Sequence, residues 1–114
     1  MRREELYLRD IVDAADAVAT FLSGASRDEF LENELLRSAV LQKLMIMGEA
    51  AAHVGDTLRA KHPEVPWRRI VAFRNYAIHE YFGLNWGYAW VAATEDAPLL
   101  RQKVLAVLQA EFPA

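Results

Sequence analysis

The sequence predicts an all-α fold: a bundle of four to five helices forming one domain over residues 1–114. Three observations predict it. Apolar residues recur at three- and four-residue spacings along most of the chain, the signature of amphipathic helices. No stretch alternates with the two-residue period of a half-buried strand. Gly24, the Pro63–Pro66 segment and Gly83 break the periodic stretches where helices should end. The composition, 54% hydrophobic and 25% charged with few glycines and prolines, is that of a chain that folds around a core.

The first helix is expected from about Arg3 to Ser23, where Leu8, Ile11, Val12, Ala15, Val18, Ala19 and Leu22 share a face and Gly24 stops the run. Ser26-Arg27-Asp28-Glu29 has the Ser-x-x-Glu form of a capping box, so a short helix should begin there. The longest periodic stretch runs from about Glu34 to Ala60. It has a broad apolar face in which Gly48, Ala51 and Ala52 leave room for a second helix to approach. Pro63 and Pro66 predict a loop, with Pro66 near the start of a helix that runs from Trp67 to about Tyr81. The last helix should start at Asn85 and continue to the end, with Pro98 kinking or interrupting it. No internal repeat, linker or sustained heptad competes with this arrangement.

The residue inventory excludes several kinds of chemistry. The absence of cysteine removes disulfides, thiolate metal sites and a Cys nucleophile, and is compatible with a reducing compartment, so a cytoplasmic location is expected. The charged start Met1-Arg2-Arg3-Glu4-Glu5 and the lack of a long apolar run argue against membrane targeting. A net charge of −3 argues against a uniformly basic nucleic-acid-coating surface. The charge is uneven, however. Arg59, Lys61, Arg68, Arg69 and Arg74 against Glu64 give a local +4, which leaves −7 on the rest of the chain. This run reads either as a basic patch or as solvated helix faces.

The segment Arg74-Asn75-Tyr76-Ala77-Ile78-His79-Glu80-Tyr81 holds the residues best suited to chemistry. On a regular helix Asn75 and His79 share a face, and Arg74 and Tyr81 lie about 20 degrees apart, whereas Arg74 and His79 diverge by about 140 degrees. A distorted helix end, a long Arg reach or a second copy across a two-fold axis must close that gap. Such a site suits cleavage of an RNA phosphodiester, in which the neighbouring 2′-hydroxyl is the nucleophile and neither metal nor cofactor is required. His79 can move the proton and Arg74 can hold the phosphate, because a guanidinium is always charged. Asn75 can hydrogen-bond His79 or the phosphate, and Tyr76 or Tyr81 can stack on a base. Read without any relative, the same residues are more often those of ordinary helix packing, with Tyr81 in an aromatic cluster with Tyr76, Phe82 and Trp86. Glu49 reads either as a core acid bonded to a neighbour or as a partner supporting Arg74. His53 and His62 lack a ligand set at metal spacing. Asp10, Asp13 and Asp16 read as a solvated acidic face.

The eight-residue segment resembles the Arg, four to six residues, His signature of HEPN ribonucleases, in the Arg-Asn-x-x-x-His-x-Tyr form of HepT toxins. Met47-Gly48-Glu49-Ala50-Ala51, Pro63-Glu64-Val65-Pro66-Trp67, Tyr81-Phe82-Gly83 and a Trp-containing final helix resemble the family in order and spacing. The resemblance implies an up-and-down HEPN-like bundle and a homodimer whose RNase cleft lies at the interface. It further implies a toxin neutralised by a minimal nucleotidyltransferase antitoxin. Arg74 and His79 would be the catalytic pair, Asn75 would complete the site, and Tyr81 would be the tyrosine that the antitoxin modifies with AMP. Two other functions fit the same residues: a non-catalytic subunit that binds a nucleotide or presents a substrate to the nucleotidyltransferase, and a purely structural helical dimer.

Overall fold

The computed structural model describes residues 2–113. Seven α-helical segments follow one another: α1 (Glu4–Phe21), α2 (Arg27–Glu32), α3 (Glu34–His53), α4 (Asp56–Lys61), α5 (Trp67–His79), α6 (Trp86–Val91) and α7 (Ala97–Glu111). A 3-10 turn, Tyr81–Gly83, follows α5, and a π-helical turn, Ala92–Asp96, joins α6 to α7 without leaving helical backbone angles at either junction. The fold therefore has four principal rods: α1, α3, α5 and the interrupted rod α6–α7. Two short helices, α2 and α4, fill the connections.

The rods run up and down. The start of α1 lies at the end of α3, where Tyr7 stacks on His53 at 5.1 Å and the Glu4 carboxylate accepts from the Gly55 amide at 2.6 Å. The end of α7 returns to the α4–α5 connection, where His62 Nε2 meets Glu111 at 2.7 Å. A single core fills the space between the rods. Leu8 and Ile11 of α1, Phe30 of α2, Leu44 and Met47 of α3, Ile70 and Phe73 of α5, and Leu100 and Val104 of α7 are all essentially inaccessible to solvent. No polar or charged residue among those described is fully buried, so the bundle is held by apolar packing.

Local signals explain most boundaries. Gly24 has φ +77 after α1 and takes the left-handed conformation that glycine adopts without cost. The capping box at α2 forms both of its bonds, the Glu29 amide donating to Ser26 Oγ and the Ser26 amide to Glu29 Oε1. Asn85 caps α6 by accepting from the Tyr88 amide at 3.1 Å. Pro98 falls in the first turn of α7, directly after the π turn. The missing proline N–H is thus accommodated by a widened helical turn within a continuing rod.

Two boundaries differ from the sequence expectation. The long helix does not continue to Ala60 but ends at His53. Val54 turns to extended angles (φ −69, ψ 131) with its side chain in the core, and the Gly55 amide is held by Glu4 from the other end of the chain. A distant carboxylate thus satisfies a backbone donor that a continuous helix would have satisfied locally. The helix expected to reach Tyr81 likewise ends at His79, and Tyr81 begins the 3-10 turn.

Candidate active site

The α3–α5 crossing fixes the position of Arg74. At Gly48 the two helices approach so closely that a Cβ there would lie 2.3 Å from the Arg74 Cβ and 2.8 Å from the Ile70 carbonyl oxygen. Arg74 therefore leaves α5 across the surface of α3, with its side chain 19% exposed. Its Nη1 donates to Glu49, one residue beyond Gly48, and its Nε is buried with no hydrogen-bond partner. Glu49 is mostly solvent-facing, so it is the partner of Arg74 and not a core acid. Its other neighbour is His53, whose Nδ1 lies 2.9 Å from the Glu49 carbonyl oxygen and 3.6 Å from its carboxylate. Beside this pair a shallow groove of about 360 Å³ is lined by Gln42, Met45, Ile46, Glu49, Arg74 and Ile78. Ile46 and Ile78 are exposed along it, an apolar strip between two helices with a cation held at its wall.

His79 is the last residue of α5 and, with Asn75 one turn earlier, lies on the exposed face of that helix. Because α5 is regular from Trp67 to His79, Arg74 and His79 point about 140 degrees apart. The structure of one chain brings Arg74 to Glu49 and places Asn75 beside His79, but it does not bring Arg74 and His79 together.

Tyr81 is 57% exposed on the 3-10 turn, edge-to-face with Phe82, which protrudes fully into solvent. The expected cluster of Tyr81, Phe82, Tyr76 and Trp86 is not formed. Tyr76 instead packs with Phe73 and Tyr88, and its hydroxyl accepts from the Asn85 amide at 2.7 Å, which ties α5 to the start of α6. Trp86 belongs to a separate group with Phe30 and Arg37. Of the two tyrosines flanking His79, one serves packing and one is open to solvent.

The remaining sequence candidates separate in space. The basic run divides: Lys61 pairs with Glu111, Arg74 with Glu49, and Arg59, Arg68 and Arg69 gather around a different hollow between α4 and the start of α5. Asp10 and Asp16 are engaged by Arg2 and Arg101, so only Asp13 of the three acids on α1 is an unpaired surface charge among the described residues. His62 sits between Glu111 and Glu64, whose carboxyls are held below their ordinary range. For Glu111 the His62 hydrogen bond is the largest cause; for Glu64 a backbone hydrogen bond leads and His62 adds to it. Asp96, partly buried beside Arg69, is shifted the other way, because desolvation outweighs the attraction of the guanidinium. Among the described residues no helix is long and apolar enough to cross a membrane.

The helical bundle seats Arg74 of α5 on a glycine crossing with α3 and carries Asn75 and His79 further along the same helix, and family comparison identifies the class it belongs to. Residues 11–107 match the family model described as "Ribonuclease HepT-like". The chain belongs to this family, whose class is that of the RNA-cleaving endoribonucleases. It is similar to "Putative RNase MJ1380" of Methanocaldococcus jannaschii, at 36% identity over 90% of this chain and 94% of that protein. It is also similar to "Probable ribonuclease HepT" of Thermococcus cleftensis, at 33% identity over 90% and 93% of the two chains. "Putative RNase TTE0752" of Caldanaerobacter subterraneus subsp. tengcongensis is 32% identical over 97% and 99%. No solved structure is significantly similar to the chain.

Proposed function

We propose that this protein is a metal-independent endoribonuclease toxin of a toxin–antitoxin pair that acts as a homodimer, with its cleft formed where two copies meet. One observation carries the reading. Arg74 and His79 sit on a single regular helix, both reach the surface, and they diverge by a direction that a second copy across a two-fold axis would close. The exposed Ile46 and Ile78 strip beside Arg74 supplies apolar surface for that contact. Two-fold symmetry then presents the same patch twice and sets an Arg74 of one copy opposite a His79 of the other.

In this cleft the RNA supplies its own nucleophile. The 2′-oxygen attacks the adjacent phosphorus, the bond from phosphorus to the 5′-oxygen breaks, and a 2′,3′-cyclic phosphate and a free 5′-hydroxyl result. His79 takes the 2′-hydroxyl proton or delivers one to the departing 5′-oxygen. Arg74 binds the phosphate and stabilises charge on its oxygens, with Glu49 keeping the guanidinium directed along α3. Asn75, one turn before His79, orients the imidazole or the phosphate. The antitoxin is a minimal nucleotidyltransferase that transfers AMP from ATP to the Tyr81 hydroxyl, releasing pyrophosphate. Tyr81 is accessible for that reaction, and an anionic nucleotide two residues from His79 would obstruct the cleft and repel the RNA phosphate.

The test is cleavage of RNA by purified protein in EDTA, with mass spectrometry showing an unmodified Tyr81. Cleavage by the wild type that is lost in His79→Ala supports the reading. Intact RNA with the wild type would move the assignment to a non-catalytic nucleotide- or substrate-binding subunit of a nucleotidyltransferase.

A further inference from the structure

Between α4 and the start of α5 lies a hollow of about 620 Å³ that is distinct from the Arg74 groove. Its walls bring together Arg59, Arg68 and Arg69 against one acid, Asp56, over a floor that includes Trp67 and Pro63. Asp56 bonds Arg59 at 2.8 Å with its own side chain 97% exposed, so that pair is open to solvent screening. Arg69 is shared with Asp96, and Arg68 has no ion pair among the described residues. On a chain of net charge −3, this is a local excess of positive charge in a concave setting.

The setting runs against the helix dipole. The first turn of α5 carries no acidic residue but two arginines, at the end of the helix where the backbone dipole is positive and favours an anion. The Trp67 and Arg69 amides are satisfied by the Val65 and Pro66 carbonyls, whereas the Arg68 amide has no acceptor among the described residues. A local arrangement that works against the dipole is expected where function requires it.

We infer that this hollow holds a backbone phosphate of the substrate RNA, several nucleotides from the cleaved bond. This inference rests on the ribonuclease reading and names the surface along which the strand leaves the cleft. Arg68 and His79 are eleven positions apart on one helix, about 16 Å along its axis, or about five steps of a stacked strand. A strand held at Arg74 and His79 therefore reaches the hollow only if it extends well beyond a dinucleotide. Planar guanidinium groups match phosphate oxygens in paired hydrogen bonds, and the acidic remainder of the surface confines the strand to this path.

The test measures binding and not cleavage, so that it is read independently of catalysis. In the His79→Ala background, fluorescence anisotropy follows binding of a labelled ten-nucleotide RNA and of a dinucleotide across a salt series. Removing both Arg59 and Arg68 by alanine substitution should weaken ten-nucleotide binding about tenfold and reduce the salt slope by about 0.7 for each phosphate no longer neutralised. Dinucleotide binding should be unchanged, and Arg68→Lys alone should retain most of the affinity. Arg9→Ala, a charge removed from the exposed face of α1, should change neither. Unchanged ten-nucleotide binding, an equal loss for the dinucleotide, or the same loss from Arg9→Ala would overturn the inference. So would AMP that displaces the long RNA through Arg68, which would make the hollow a mononucleotide pocket. Tight, Arg68-dependent binding of an RNA that the wild type does not cleave would instead sink the ribonuclease reading and leave the subsite standing.

Discussion

Gly48 of α3 lies directly beneath Arg74 of α5, and the absence of a side chain at residue 48 is what lets the arginine cross α3 to reach Glu49. The neighbouring atoms are the Arg74 Cβ and the Ile70 backbone, neither of which can swing aside as the tip of a flexible side chain would. Gly48→Ala should therefore push the helices apart, with a stability loss of about 1–3 kcal/mol from overpacking. Thermal unfolding should show this as a lowered Tm, accompanied by a fall in RNA cleavage larger than the loss of folded protein explains. A variant with wild-type Tm and activity would show that the crossing is not tight.

Among the described residues Glu49 is the one charge paired with Arg74, and because the carboxylate is largely exposed the pair should stabilise the fold by less than about 1 kcal/mol. Its effect should lie in aiming the guanidinium. Glu49→Ala should leave Tm nearly unchanged while lowering kcat/KM about tenfold, and Glu49→Gln, which keeps an acceptor oxygen, should recover most of that loss. Steady-state kinetics beside an unfolding curve separates the two effects.

Lys61 and His62 clamp Glu111, and Glu64 holds His62 at its other ring nitrogen, so the end of α7 is tied to the α4–α5 connection by an acid-sensitive contact. The Glu111 carboxyl lies below its ordinary 4.5 in the folded state. Its contribution is therefore complete above that value and is lost as pH falls through the lower, folded one. Glu64 acts in the same direction. Asp96 has the opposite sign: its folded carboxyl is raised above 3.8, so its ionisation weakens the fold as pH rises through that region. A Tm series from pH 6 downward should show a fall below about pH 4.5, and Glu111→Gln should lessen it. An identical series for the variant would show that the clamp has no part in acid stability.

Tyr81 and Tyr76 differ in a way that modification chemistry can read. The Tyr81 hydroxyl is on an exposed turn, whereas that of Tyr76 accepts from the Asn85 amide inside an aromatic group. With a cognate nucleotidyltransferase and ATP, peptide mass spectrometry should find AMP on Tyr81 and none on Tyr76. Tyr81→Phe should cleave RNA yet resist inactivation. AMP on Tyr76, or inactivation of Tyr81→Phe, would contradict the assignment.

Much of this was legible in the sequence because it is local. The capping box at Ser26, the stop at Gly24, the helix start near Asn85 and the interruption near Pro98 each depend on residues within a turn of one another. The end of α3 was not legible: the carboxylate that holds the Gly55 amide comes from Glu4, fifty-one residues away. The same limit applies to the site. The spacing of Arg74, Asn75 and His79 on one helix could be read directly, and Gly48 suggested a close helix approach. Glu49 was readable as one of two things, a core acid or the partner of Arg74; which of the two it is, and that Tyr76 packs inward while Tyr81 does not, depends on how α5 lies against α3 and α6. The division of the basic run is likewise tertiary, since Lys61 turns to α7 and Arg59 turns toward Arg68.

Whether Arg74 and His79 act across two copies of the chain is decided by complementation. Arg74→Ala and His79→Ala chains carrying different tags are co-expressed, and the mixed dimer is isolated by sequential affinity steps and assayed on RNA in EDTA. Each variant alone should be inactive. The mixed dimer, which retains one Arg74 and one His79 facing each other, should regain a substantial fraction of wild-type cleavage. A pure mixed dimer as inactive as its parents, beside an active wild-type dimer prepared in the same way, would rule out a site shared between copies.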